Sequence, residues 1–200
     1  DHKGFIPYET IHSKGTAQLT DQVEIAIPYN HVPFPTPVVQ AQIDASSQFS
    51  FLYYPFTNKV ISVNQQGKGT DLKQYDVKYS MPIYDIAVLR TIKDIEAQTV
   101  DKTYLQTPSA FPERIRDLTI SITKDADNLY DKVKAVENYF DRSEFIYARE
   151  DIPYPEENED FVDQFLFETL RGYCDHFSTS MVMMLRSLGI QAKWVKGYTG

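Results

Sequence analysis

Apolar and polar positions alternate along the first half of the chain. Over residues 16–27, Ala17, Leu19, Val23, Ile25 and Ile27 are apolar around a polar Thr20, Asp21, Gln22 triplet. That pattern predicts a strand, or a hairpin turning at the triplet. Residues 28–37 carry four prolines and predict an extended loop. Short β-type runs follow at 38–43, 49–56 and 59–63, with a turn over 65–70 around Gly67 and Gly69. The clearest alternation is Tyr75, Val77, Tyr79, Met81 and Ile83. Short strands with turns every 8–12 residues or so predict a small β-sandwich or barrel.

Near Ala97 the period changes. Residues 98–111 are polar and hold Pro108, and Pro112 follows. The expected organisation is a β-rich domain over 1–100, a linker over 101–112 and a helical domain over 113–200. A helix is predicted over 113–122 with Pro112 at its first position. A second spans 127–142, with Leu129, Val133, Val136 and Phe140 on one stripe and Asp125 or Asp127 as the cap. Residues 145–148 read as extended, and the acidic stretch 151–160 with Pro153 and Pro155 as an exposed loop. A Phe-rich third helix over 161–170 ends at Gly172. In the fourth, Cys174, Phe177, Met181, Met184, Leu185 and Leu188 form one apolar stripe, and Gly189 is placed to stop it. Residues 191–196 then predict a strand, with Ala192 and Trp194 on one face and Lys193 and Val195 on the other. The fold class is α+β.

Composition narrows the function. A hydrophobic share of 42% and an aromatic share of 14% suit packed cores. The net charge of −8 argues against nucleic acid as a partner. A single cysteine excludes an internal disulfide and a Cys-rich metal site. No run of about eighteen apolar residues is present, and no signal peptide. The chain opens without Met and is expected to be cut from a longer polypeptide.

The candidate chemistry centres on Cys174. A thiol at a helix start faces the positive end of the dipole and free N–H groups, a setting that favours thiolate and oxyanion. A lone cysteine is more often a small buried residue, and it is the helix start together with the motif around it that favours the nucleophile. Asp175 reads as a first-turn dipole partner, Arg186 as half of a structural ion pair, and Met181, Met183 and Met184 as core. Trp194 reads as packing, with a place in a cleft as the alternative. The acidic loop reads as solvated, and a calcium site there is the weaker option.

Gly172, Tyr173 and Cys174, then Met184, Leu185 and Arg186, then Leu188, Gly189 and Ile190, and finally Val195, Lys196, Gly197 and Tyr198 together resemble the transglutaminase-like superfamily. Tyr104 to Gln106 with Pro108, Tyr130 to Lys132, Phe145 to Tyr147, and Asp160 to Asp163 before Phe165 to Glu168 resemble one bacterial branch of it. The resemblance covers about residues 104–200. It implies a papain-like core with a Cys-His-Asp triad, of which residues 113–200 are the helical front half. It also implies a multi-pass bacterial membrane protein with this domain on the extracytoplasmic face. Cys174 is then the catalytic nucleophile, attacking a glutamine or amide carbonyl of a protein or peptide substrate. No cofactor or metal is implied. The family's His and Asp lie on strands after the Gly-Tyr segment, beyond residue 200. His176 stands where the family usually has an aromatic residue and, two positions from Cys174, is not cast as the base. His2, His12 and His31 belong to the β part. Residues 1–200 alone are therefore expected to be inactive, with apolar surface left open beside the Cys helix. The alternative is a non-catalytic binding or assembly module on the cell surface. A cytosolic cysteine protease is disfavoured.

Overall fold

A computed structural model describes residues 4–5, 13–35, 40–54, 57, 59–93, 101–142 and 144–197. The chain forms two compact units, residues 1–85 with 197–200, and residues 86–196. The fold is α+β.

In the first unit, β1 (Gly4–Phe5), β2 (Ser13–Tyr29), β3 (Gln40–Asp44) and β6 (Leu72–Tyr84) form an antiparallel sheet in the order β1-β3-β6-β2. Between them, β4 (Ser50–Tyr54) and β5 (Lys59–Val63) make a hairpin. Alternation on β6 puts Tyr75, Val77 and Tyr79 inside, where they meet Ala41 and Ile43 of β3 and Phe51 and Val60 of the hairpin. Both sheets thus share one core.

The Thr20, Asp21, Gln22 triplet makes no turn. β2 runs straight through it, with Asp21 opposite Val77 and Gln22 opposite Asp76. Asp21 is held there by the Tyr79 hydroxyl, which donates to its Oδ2 at 2.7 Å. The turn at 65–70 forms as the sequence predicts. Asn64 Oδ1 accepts from the N–H groups of Gln66 and Lys68, and Gly67 takes φ +76°. Residues 36–39, 55–56 and 94–100, which bear on the proline loop, the runs at 38–43 and 49–56 and the compositional change, lie outside the described residues.

The second unit begins with α1 (Ile86–Leu89) and a short 3-10 turn, Lys102–Leu105. Three longer helices follow: α2 (Glu113–Thr123), α3 (Leu129–Tyr139) and α5 (Cys174–Ser187). Between α3 and α5 lie β7 (Ile146–Tyr147), α4 (Phe161–Gln164), a π-helical turn (Phe165–Thr169) and β8 (Arg171–Gly172). Ile115, Val136, Val162, Phe165, Leu166, Met184, Leu185 and Ile190 form the core.

Several helix ends differ from the sequence reading. Pro112 is the N-cap of α2 rather than its first helical residue, with extended φ/ψ of −64° and 123°. α3 is capped by Asn128, not by Asp125 or Asp127. Its Oδ1 accepts from Asp131 N at 2.9 Å, while its Nδ2 donates to Asp131 Oδ2 at 2.7 Å. The third helix is one α-turn plus a π-turn, and it stops at Leu170 in the left-handed region, before Gly172. Gly189, at φ +76°, ends α5 as expected. Gly189 N donates to Arg186 O and Ile190 N to Leu185 O, a Schellman closure that satisfies two terminal carbonyls.

Two isoleucines of α2 separate packing from propensity. Ile115 is 0% exposed and Ile120 48%. Ile115→Ala is expected to lower unfolding free energy by about 2–5 kcal/mol. Ile120→Ala should be neutral or slightly stabilising, because Ala is the better helix former. Urea unfolding of the two variants checks this; equal losses would contradict the assigned core.

Candidate active site

The thiol is positioned by the backbone just before it. Leu170 closes the π-turn by donating its N–H to Phe165 O at 3.0 Å, with φ 47° and ψ 17°. A leucine in that region is strained, so the surroundings must hold it. The chain then turns extended and pairs β8 with β7 in parallel, Arg171 opposite Ile146 and Gly172 opposite Tyr147. Ile146 N donates to Leu170 O and Ala148 N to Gly172 O, both at 2.8 Å. Tyr173 is the N-cap of α5, and Cys174 is its first residue.

His176 fixes the other side of this turn. It is 5% exposed, with ring centroids 4.5 Å from Phe161, 4.7 Å from Tyr173 and 5.4 Å from Phe165. Its Nδ1 accepts from Tyr173 N at 3.4 Å. A Cβ placed on Gly172 would lie 2.4 Å from His176 Cγ. Glycine is therefore required at 172 because an imidazole lies against its Cα. His176 acts as a core aromatic ring, and it is the only histidine in residues 86–196. Burial pushes its pKa below 6.5, with Asp175 acting weakly the other way. His31 lies in the first unit, and His2 and His12 lie outside the described residues.

Cys174 itself is exposed. The apolar stripe read from sequence is thus partly right. Met184 and Leu185 are buried and Phe177, Met181 and Leu188 half-buried, but Cys174 stands at the solvent edge. The buried side of the first two turns is instead His176 and Ser180. The Sγ lies 3.6 Å from Asp175 Oδ1. His176 N donates to Tyr173 O at 2.9 Å, and the N–H groups of Cys174 and Asp175 have no acceptor within the helix, as at every helix start.

Residues 191–196 are not a strand. Ala192 N donates to Tyr104 O at 3.1 Å, and Ala192 O accepts from Arg186 Nε and Nη2 at 2.9 and 2.7 Å. Those bonds use the groups a sheet partner would need. Arg186 also donates from Nη1 to Gln106 O at 2.8 Å. It is structural, but it caps carbonyls, and the expected ion pair does not form with any described residue. Trp194 donates from Nε1 to Ser178 Oγ at 2.8 Å and keeps much of its ring exposed. The ring contacts of His176 and the Trp194–Ser178 hydrogen bond had no periodic signal. The glycine two positions before Cys174 was the one available hint.

Other features do not form a second reactive centre. A cavity of about 410 Å³ beside α2 and α3 is lined by Arg90, Tyr130, Asp131 and Lys134 among others, with no residue of α5. Among the described residues no cluster of His, Cys, Asp or Glu is arranged to hold a metal ion. None of their helices is long and apolar enough to cross a membrane.

An exposed cysteine thus opens a helix with a buried face, after a Gly-Tyr pair and before a glycine stop. Residues 116–200 match the model of the transglutaminase-like superfamily, so this stretch is a domain of that superfamily. Uncharacterized protein YebA of Bacillus subtilis (strain 168) is 40% identical over 194 residues, 94% of this chain and 26% of that protein. The protein-glutamine gamma-glutamyltransferase of Pseudomonas aeruginosa is 38% identical over 68 residues, 34% of this chain and 10% of that enzyme. The chain therefore spans about a quarter or less of these relatives' lengths. The crystal structure of the periplasmic domain of TgpA from Pseudomonas aeruginosa superposes with a TM-score of 0.53 at 20% identity, over 93% of this chain and 58% of that one. Its ethylmercury-bound form gives 0.52 at 20% identity, over 88% and 57%. These likenesses show a shared fold.

Two measurements test this turn. Gly172→Ala should cost about 1–3 kcal/mol, and less than about 1 kcal/mol in a His176→Ala background, where the clash is gone. Equal costs in both backgrounds would contradict the contact. His176, with a folded pKa below its unfolded value of 6.5, binds its proton more readily when unfolded. Stability should therefore fall as pH drops below about 6.5, and His176→Phe should flatten that slope in urea titrations.

Proposed function

We propose that the whole protein is a thiol-dependent acyltransferase or amide hydrolase in which Cys174 attacks glutamine-type carboxamides of proteins or peptides. One observation carries the reading: the chain's single cysteine is exposed at the first residue of a helix whose opposite face is buried. The superfamily match over residues 116–200 and the protein-glutamine gamma-glutamyltransferase relative support the chemistry.

In this mechanism the thiolate adds to the carboxamide carbon. The carbonyl oxygen becomes an oxyanion facing the N–H groups at the start of α5. The C–N bond then breaks, the amine leaves as ammonia with a proton from an imidazolium, and a thioester to Sγ remains. An amine or water adds to that thioester, gives up a proton to the imidazole, and the C–S bond breaks to free the thiol. His176 is unsuited to the proton transfers, because its ring is committed to the aromatic cluster. The reading assigns the base and its orienting Asp to parts of the protein beyond these 200 residues. It also assigns the domain to the extracytoplasmic face of a bacterial membrane, carried by a multi-pass protein. The TgpA likeness to a periplasmic domain supports the extracytoplasmic placement alone.

Ammonia release from a glutaminyl dipeptide by the full-length protein checks the reading. Cys174→Ala should lower the rate by about 10³-fold or more, with the fold retained. A variant within about tenfold of wild type would remove Cys174 from the chemistry and favour a non-catalytic module.

A further inference from the structure

Two exposed aromatic rings are held by Phe177 and Ser178, the α5 residues one turn after Cys174. Phe177 and Ser178 follow Cys174 by three and four residues. Those positions lie about 60° to one side of it and about 40° to the other, with Cβ atoms about 5–6 Å away. Each holds a ring from another segment. Tyr147 of β7 stacks on Phe177, with centroids 6.0 Å apart and planes at 27°. Trp194 is tied to Ser178 by its indole N–H.

Both rings are firmly held and still open. Tyr147 sits in the β7–β8 ladder opposite Gly172, two residues before the thiol. The backbone leading to Trp194 is pinned at Ala192 by Tyr104 and Arg186. Yet Tyr147 is 57% exposed and Trp194 41%. Large rings held rigid in solvent one turn from a nucleophile lose little entropy on binding and offer flat apolar faces.

We propose that Tyr147 and Trp194 are the specificity walls of the acyl-donor subsite. They hold the methylene stem of a glutaminyl side chain between them, so that its carboxamide carbon meets Cys174 Sγ. Ser178 is a positioning residue that aims the indole. This assignment rests on the acyl-transfer reading above. It selects donors with an apolar stem between backbone and amide, and it disfavours the shorter asparaginyl side chain.

Steady-state kinetics on the full-length protein test it, with benzyloxycarbonyl-Gln-Gly as donor and hydroxylamine as acceptor. Alkylation of Cys174 by iodoacetamide, which is too small to need the walls, is followed in parallel. Trp194→Ala and Tyr147→Ala should each raise KM about tenfold or more while kcat stays within about threefold. Trp194→Phe and Tyr147→Phe, which keep a ring, should hold KM within about threefold of wild type. Alkylation rates should stay within about threefold in all four variants, showing that the thiol is still in place. An unchanged KM in both alanine variants, with the wild type turning the donor over, overturns the walls and leaves acyl transfer standing. Slowed alkylation together with a lower kcat in both alanine variants also overturns them, because it marks a structural role. Absence of turnover by the wild type overturns both readings.

Discussion

The contact between the His176 ring and the Gly172 backbone organises the reactive end of the second unit. It draws the first turn of α5 down onto Phe161 and Phe165. With that side of the helix dry, Cys174 is turned toward solvent. The same contact excludes any side chain at residue 172, which lies opposite Tyr147 in the β7–β8 ladder. Leu170 must then take a left-handed conformation to lead the chain out of the π-turn and into β8. That strain is tolerable because Phe165 and Leu166 are buried on one side and the ladder holds the other. The thiol's position follows from packing several residues away.

Much of this was legible in the sequence because it rests on periodicity. The central strand β6 and the α5 stop at Gly189 follow from alternation and from a residue type with one conformational use. The second helix was legible as an element but not at its cap. Asp125, Asp127 and Asn128 are all good N-cap types, and only the backbone decides that Asn128 takes the extended φ/ψ. The triplet in β2 left strand and hairpin both open for a similar reason, and the structure takes the strand. Thr, Asp and Gln suit turns on an exposed strand as well as in a loop, and the Tyr79 hydroxyl that fixes Asp21 lies 58 residues away.

The site was legible in its nucleophile and not in its surroundings. Cys174 stands out as the single thiol at a helix start. The stripe that includes it placed it on the core side, because the first residue of a helix has only one turn of neighbours to define its face. His176 reads as a polar residue in sequence and behaves as an aromatic one, since its partners come from α4 and the π-turn. Residues 191–196 alternate like a strand, but Arg186 and Tyr104 occupy the backbone groups of Ala192. Nonlocal hydrogen bonds of this kind leave no period to read.

The central claim is that Cys174 carries the acyl group. Full-length protein incubated with a glutaminyl peptide and no amine acceptor, then quenched in acid, can be weighed intact and mapped by digestion. The account predicts an adduct with the mass of the peptide less one ammonia, located on the peptide containing Cys174 and released by hydroxylamine. An adduct on another residue, or none while ammonia is being released, would contradict it.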